Sequence, residues 1–189
     1  MKKIVILTFI LLIFCKTSYA LIKVDITRGN LDPLPIAVSP LYVESDSKEE
    51  SIGEKISEVI ENNFRRSGLF NPLKKESFVQ KPDMAHIKPR FEDWKLIKAQ
   101  ALVTGKVSIQ EEKLRVEFRL WDVIAGKEMV ALAFTTTPSN WRRVSHIISD
   151  KIYHRLTGED GYFDTRIIYV SEKGPKNQRV KKLAIMDQD

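Results

Sequence analysis

Residues 101–137 read ALVTGKVSIQEEKLRVEFRLWDVIAGKEMVALAFTTT. Within them Leu114, Val116, Phe118 and Leu120 alternate with Arg115, Glu117, Arg119 and Trp121. A two-residue period is that of a strand with one face in the core and one in solvent. Ala101 to Ile109 precedes it as an apolar, β-branched strand, and Glu111-Glu112 marks the turn between them. Gly126-Lys127 then turns the chain into a partner strand, Glu128 to Thr136. Three strands joined by short turns predict an antiparallel meander.

Working outward, the period changes from two to 3.6. Trp141, Val144, Ile148, Ile152 and Leu156 recur at helical spacing, and Thr157-Gly158 ends that helix. Upstream, Ser47 to Arg66 is a second long helix. Ile52, Ile56, Val59, Ile60 and Phe64 form its apolar stripe, and Ser47 with Glu50 form a capping box. Gly68 is its expected C-cap, and Gly53 lowers its propensity by about 1 kcal/mol relative to alanine. Leu69–Leu73, interrupted by Pro72, predicts a short or edge strand, and Ile36-Ala37-Val38 a short buried one. Residues 76–89 show little periodicity and read as a loop. Phe91 to Ala99 reads as a short helix. The fold class is α/β (α+β): a mixed or mostly antiparallel sheet packed against two long helices. Beyond Gly158, residues 166–170 and 179–186 read as two strands about the turn Gly174-Pro175-Lys176-Asn177. A lone hairpin is marginal, so these strands read as the start of an incomplete second domain and are expected to be poorly anchored.

Residues 1–20 have the composition of a cleavable export signal. Lys2 and Lys3 precede the apolar run Ile4–Cys15, and Ser18-Tyr19-Ala20 supplies small-x-small before a cut between Ala20 and Leu21. Phe14 before Cys15 argues against lipidation there. The exported chain would then hold no cysteine, so neither disulfides nor thiolate chemistry are open to it. The formal net charge is +6 from 31 basic and 25 acidic residues. Without Lys2, Lys3 and Lys16 it is 28 against 25, a weak case for nucleic acid.

No spacing points to catalysis. His146 and His154 are eight apart on one helix, not an i, i+4 metal pair, and His86 stands alone; surface or half-buried positions are expected for all three. Gly105-Lys106-Val107-Ser108 lacks the remaining residues of a phosphate loop and lies in a strand, where Gly105 suits close backbone packing or a bulge. Asp187-x-Asp189 has the spacing of the first ligands of a calcium loop without the other ligands, and reads as a turn following a strand. Arg142, Arg143, Lys151 and Arg155 charge the last helix, but export removes the chain from RNA. No enzyme activity, cofactor, metal, nucleic acid or small-molecule substrate is expected.

The element order, with Ser67-Gly68-Leu69-Phe70-Asn71-Pro72-Leu73 at the helix-to-strand turn, Trp121-Asp122 at the hairpin, and Gly161-Tyr162-Phe163-Asp164-Thr165-Arg166-Ile167-Ile168-Tyr169-Val170 after the last helix, resembles the TolB family. The resemblance implies a signal peptide (1–20), a TolB-like N-terminal α/β domain (21–158) and the first strands of an incomplete β-propeller (159–189). It implies a periplasmic, non-catalytic adaptor of the Tol-Pal system, acting in envelope integrity and outer-membrane constriction during cell division. The mature N-terminus, Leu21, Ile22, Lys23, Val24, Asp25, Ile26, Thr27, Arg28 and Gly29, would contact the inner-membrane protein TolA. The lipoprotein Pal would bind the propeller, most of which lies outside this sequence. The residues themselves agree with a docking segment, because an extended β-branched terminus suits pairing with a sheet edge. They fit equally a first strand of the domain's own sheet. A reading of another class is a secreted ligand-binding or hydrolytic domain whose active centre lies further along a longer chain.

Overall fold

The computed structural model describes Ile22 and residues 32–44, 50–187 and 189. The expected leader, the expected Ala20–Leu21 cut, the rest of the 21–29 segment and the Ser47 side of the expected capping box lie outside the described residues. Ile22 itself is not in a strand.

The elements in chain order are β1 (Leu34–Val38), β2 (Tyr42–Val43), α1 (Glu50–Ser67), β3 (Phe70–Pro72), α2 (Pro82–Ala85), α3 (Phe91–Leu96), β4 (Ala101–Gln110), β5 (Lys113–Asp122), β6 (Lys127–Thr136), α4 (Trp141–Thr157), β7 (Arg166–Lys173) and β8 (Val180–Asp187). One sheet runs β3-β1-β4-β5-β6, with β2 also paired to β4. It is mixed. β1 lies parallel between β3 and β4, β2 is parallel to β4, and β4-β5-β6 is the antiparallel meander. Pro72 falls on β3, the outermost strand at that side, where a missing N–H costs no ladder bond.

The turn between β4 and β5 is two residues with positive φ, Glu111 at 49° and Glu112 at 62°, the twist that a two-residue hairpin requires. Gly68 (φ 70°) and Gly158 (φ 85°) end α1 and α4 in the left-handed conformation. The α1 and α4 stripes meet the inner face of the sheet. Ile56, Ile60, Phe64, Val144, Ile148, Ile152 and Leu156 pack with Val103, Val107, Leu114, Val116, Phe118 and Leu120. The opposite face is covered at one end by residues 73–99, where Trp94 is buried against Ala37, Ala85, Leu102 and Val123.

Two expectations need correction. Residues 76–89 are not a featureless loop: they carry a 3₁₀ turn at Lys75–Ser77 and the helix α2. The buried Gln80 organises them. Its Oε1 accepts from the Arg90 amide (2.8 Å) and the Trp94 indole (3.1 Å), and its Nε2 donates to the Lys88 carbonyl (3.1 Å). The short helix also ends earlier than Ala99, at Leu96, because Lys98 turns to φ 62°.

Candidate protein-docking site

The one described residue of the 21–29 segment, Ile22, is half-buried and packs against the core that α1 and α4 cover. Its amide donates to Oδ2 of Asp122 at 3.4 Å. Asp122 ends β5 and is 1% exposed; its Oδ1 accepts from the Ala125 amide at 2.7 Å, which fixes the β5–β6 turn. The two oxygens are therefore held unequally. One has a short local bond that any Asx turn would give, and the other a long bond to a residue a hundred positions away. A buried carboxylate is costly unless hydrogen-bonded, so Ile22 meets a real need of the domain through a weak link. In the sequence Asp122 stands out only as part of the hairpin. An Asp heading the turn Val123-Ile124-Ala125-Gly126 was the signal for Oδ1, but nothing local marked Oδ2.

A second polar cluster joins α1 to α4. Asn63 Nδ2 lies 3.0 Å from His146 Nδ1 and donates to Ser149 Oγ at 2.9 Å, while Asn63 Oδ1 accepts from Arg66 at 2.5 Å. Since the Asn63 amide nitrogen is a donor, His146 Nδ1 is the acceptor, and the ring proton sits on Nε2. That nitrogen faces Asp189 Oδ1 at 3.4 Å, and Arg142 reaches Asp189 Oδ2 at 2.9 Å. His146 is 5% exposed, so the expectation of a surface or half-buried position fails for it. Its burial comes from partners on α1, 83 residues away, which no local pattern displays.

Nothing in these clusters is arranged for a reaction. Among the described residues no three His, Cys, Asp or Glu side chains gather to hold a metal. His86 is spent on the Pro82 carbonyl (3.1 Å) and on stacking with Tyr42 (4.5 Å between centroids). The groove beside it, lined by Lys106, Glu117 and Arg119, is electrically matched: Lys106 meets Glu44 at 2.6 Å and Arg119 meets Glu128 at 3.7 Å. Gly105 is held for close packing, since a β-carbon there would overlap the Glu117 carbonyl oxygen; the β-bulge of this sheet lies instead beside Leu120–Trp121. Among the described residues no helix is long and apolar enough to cross a membrane.

The TolB amino-terminal domain family matches residues 22–129, more than half of the chain and the whole of the sheet up to the start of β6. The chain belongs to the TolB family. Its relative in Pelagibacter ubique (strain HTCC1062), the Tol-Pal system protein TolB, is 72% identical over 180 residues, covering 91% of this chain and 40% of that protein. The chain therefore spans about two fifths of that relative's length. The crystal structure of TolB from Acinetobacter baumannii shares the fold, with a TM-score of 0.66 and 24% identity over 82% of this chain and 37% of that one. The mixed α+β architecture and the family read from residues 67–73, 121–122 and 161–170 both hold.

Proposed function

We propose that this TolB-family chain is the N-terminal part of a periplasmic adaptor of the Tol-Pal system, exported by residues 1–20 and cut between Ala20 and Leu21. The unit 21–158 is its α/β domain, and residues 159–189 begin its β-propeller. The adaptor links inner-membrane TolA, through Leu21–Gly29, to outer-membrane Pal, through the propeller. Its work is done by surfaces and not by a reaction centre, in support of envelope integrity and of constriction at division. The observation that carries this reading is the 72% identity to a Tol-Pal system protein TolB.

The geometry at Ile22 supports the N-terminal contact. Ile22, the described residue of this segment, is held by a half-buried side chain and a 3.4 Å bond, a hold that a partner offering a row of backbone bonds can replace. The test is an NMR titration of the exported chain, starting at Leu21, with the C-terminal domain of the cognate TolA. Shifts centred on Leu21–Gly29, with the Ile22 amide among the largest, are expected. A folded domain whose segment signals do not move would remove the proposed contact.

A further inference from the structure

Among the described residues β6 is the outermost strand at its side; it runs for ten residues, and from Met129 to Thr136 it carries no charge and no proline. Natural sheets blunt such edges with lysine, proline or a bulge, because an open row of N–H and C=O groups recruits another strand. Here the bulge beside Leu120–Trp121 guards only the beginning of the strand. Which groups face outward follows from the hairpin. Gln110 and Lys113 close a two-residue turn, so they are a mutually hydrogen-bonded pair, and the pairing alternates from there. Leu114, Val116, Phe118 and Leu120 then bond toward β6, to Thr136, Phe134, Leu132 and Val130. The backbones of Ala131, Ala133 and Thr135 point away from the sheet. Among the described residues none of the three makes a backbone bond outside the sheet, whereas the Met129 carbonyl is already taken by Arg155 at 3.2 Å.

We infer that this edge is a self-association surface, on which β6 pairs antiparallel with β6 of a second copy about a two-fold axis at Leu132. Two features select that partner and register. On the inner face Leu132 is 41% exposed although it lies between half-buried Val130 and Phe134. With the axis at Leu132, it meets Leu132 of the second copy, and Val130 meets Phe134, so one apolar stripe continues across both sheets. On the outer face β5 presents Arg115, Glu117 and Arg119, opposite Thr135, Ala133 and Ala131. Pairing Ala131 with Ala133 of the second copy places each Arg119 in one row with the other copy's Glu117. The two Cα atoms are then three strand spacings apart, about 14 Å, with only alanine methyls between, a gap that two extended side chains nearly span. The neighbouring registers fail on the same charges. An axis at Ala131 aligns Arg119 with Arg119, and one at Ala133 aligns Glu117 with Glu117 and Arg119 with Arg115. These groups are about half exposed, and each now pairs within its own chain, Arg115 with Glu117 at 2.9 Å and Arg119 with Glu128 at 3.7 Å. They choose the register, while backbone bonds and the leucine contact hold the pair.

The experiment is sedimentation velocity on residues 21–189, from micromolar to near-millimolar concentration. A reversible dimer is expected. Ala133→Pro removes an outward N–H without touching the β5 ladder and should raise the dissociation constant by roughly tenfold or more. Glu117→Arg alone should also weaken the dimer, and the double change Glu117→Arg with Arg119→Glu should restore it. Neither surface change threatens folding, which circular dichroism checks. A chain that is monomeric throughout, a dimer indifferent to Ala133→Pro, or charge variants that do not compensate would overturn the proposal. So would β6 amides that gain exchange protection only when a different protein is added.

Discussion

At Gly105 the sequence and the structure ask for the same residue for different reasons. The pattern showed a glycine inside a strand; the structure shows β4 and β5 so close there that a β-carbon would overlap the Glu117 carbonyl oxygen and crowd Leu41. Gly105→Ala must push two central strands apart, and should destabilise the domain by about 1–3 kcal/mol, read as a lower urea midpoint with an unchanged slope. An unchanged midpoint would mean that the strands shift without cost. Gly53 teaches the same lesson. Its helix propensity made it look like a weakness, yet a β-carbon there would overlap the Leu41 carbonyl, and the Leu41 amide donates to the Gly53 carbonyl at 3.3 Å. Glu61 gives the residue scale a pH dependence. Burial raises its pKa, outweighing Lys75 at 3.4 Å, and its Oε1 has no good hydrogen bond. A carboxyl with a folded-state pKa above its unfolded value favours folding when protonated, and that contribution is lost as pH rises through the folded pKa. Glu61→Gln should therefore be more stable than the parent at neutral pH, with the difference shrinking as pH falls into the carboxylate range. Thermal melts across pH check this; a difference that grows on acidification would contradict it.

Among the elements, what could be read in the sequence was what has a period. β5 and α4 announce themselves because their buried residues recur at two and at 3.6, and β6 follows from the short turn that joins it to β5. The α1 stripe and the caps at Gly68 and Gly158 were equally plain, since a glycine after a periodic run has few other uses. The rest depended on partners distant in sequence. The parallel seating of β1 between β3 and β4 is fixed by pairings such as Ile36 with Ala101, which no local signal encodes. Order in residues 75–90 comes from one glutamine bridging Lys88, Arg90 and Trp94. The candidate site follows the same rule. Asp122 was visible as a turn former, but its grip on Ile22 was not, and His146 gave no local hint of the buried α1–α4 network.

For the whole molecule, the question is how far one cooperative unit extends. The sheet and both long helices share a single core, in which Leu114, Val116 and Phe118 are at most 1% exposed. β7 and β8 form a separate two-stranded sheet. Ile168 and Leu183 on one face of it are 68% and 80% exposed, and Ile167 and Met186 on the other are 45% and 47%. A ribbon apolar on both faces is stable only when covered on both, and its charged ladder of Glu172 with Arg179 and Lys181 is too exposed to replace that cover. The hairpin is tied back through Asp189 to Arg142 and His146. The loop leading into it is better held: Phe163 is buried, its amide donates to Asp150 at 2.7 Å, and Arg143 meets Asp164 at 3.2 Å. Cooperative protection should therefore extend through Phe163 and stop there. In native-state hydrogen exchange the amides of 166–187 should open with much lower free energies than those of 114–120, while Phe163 exchanges with the core. Equal protection of the hairpin and of β5 would show instead that both its faces are covered in solution and that the cooperative unit runs on to β8.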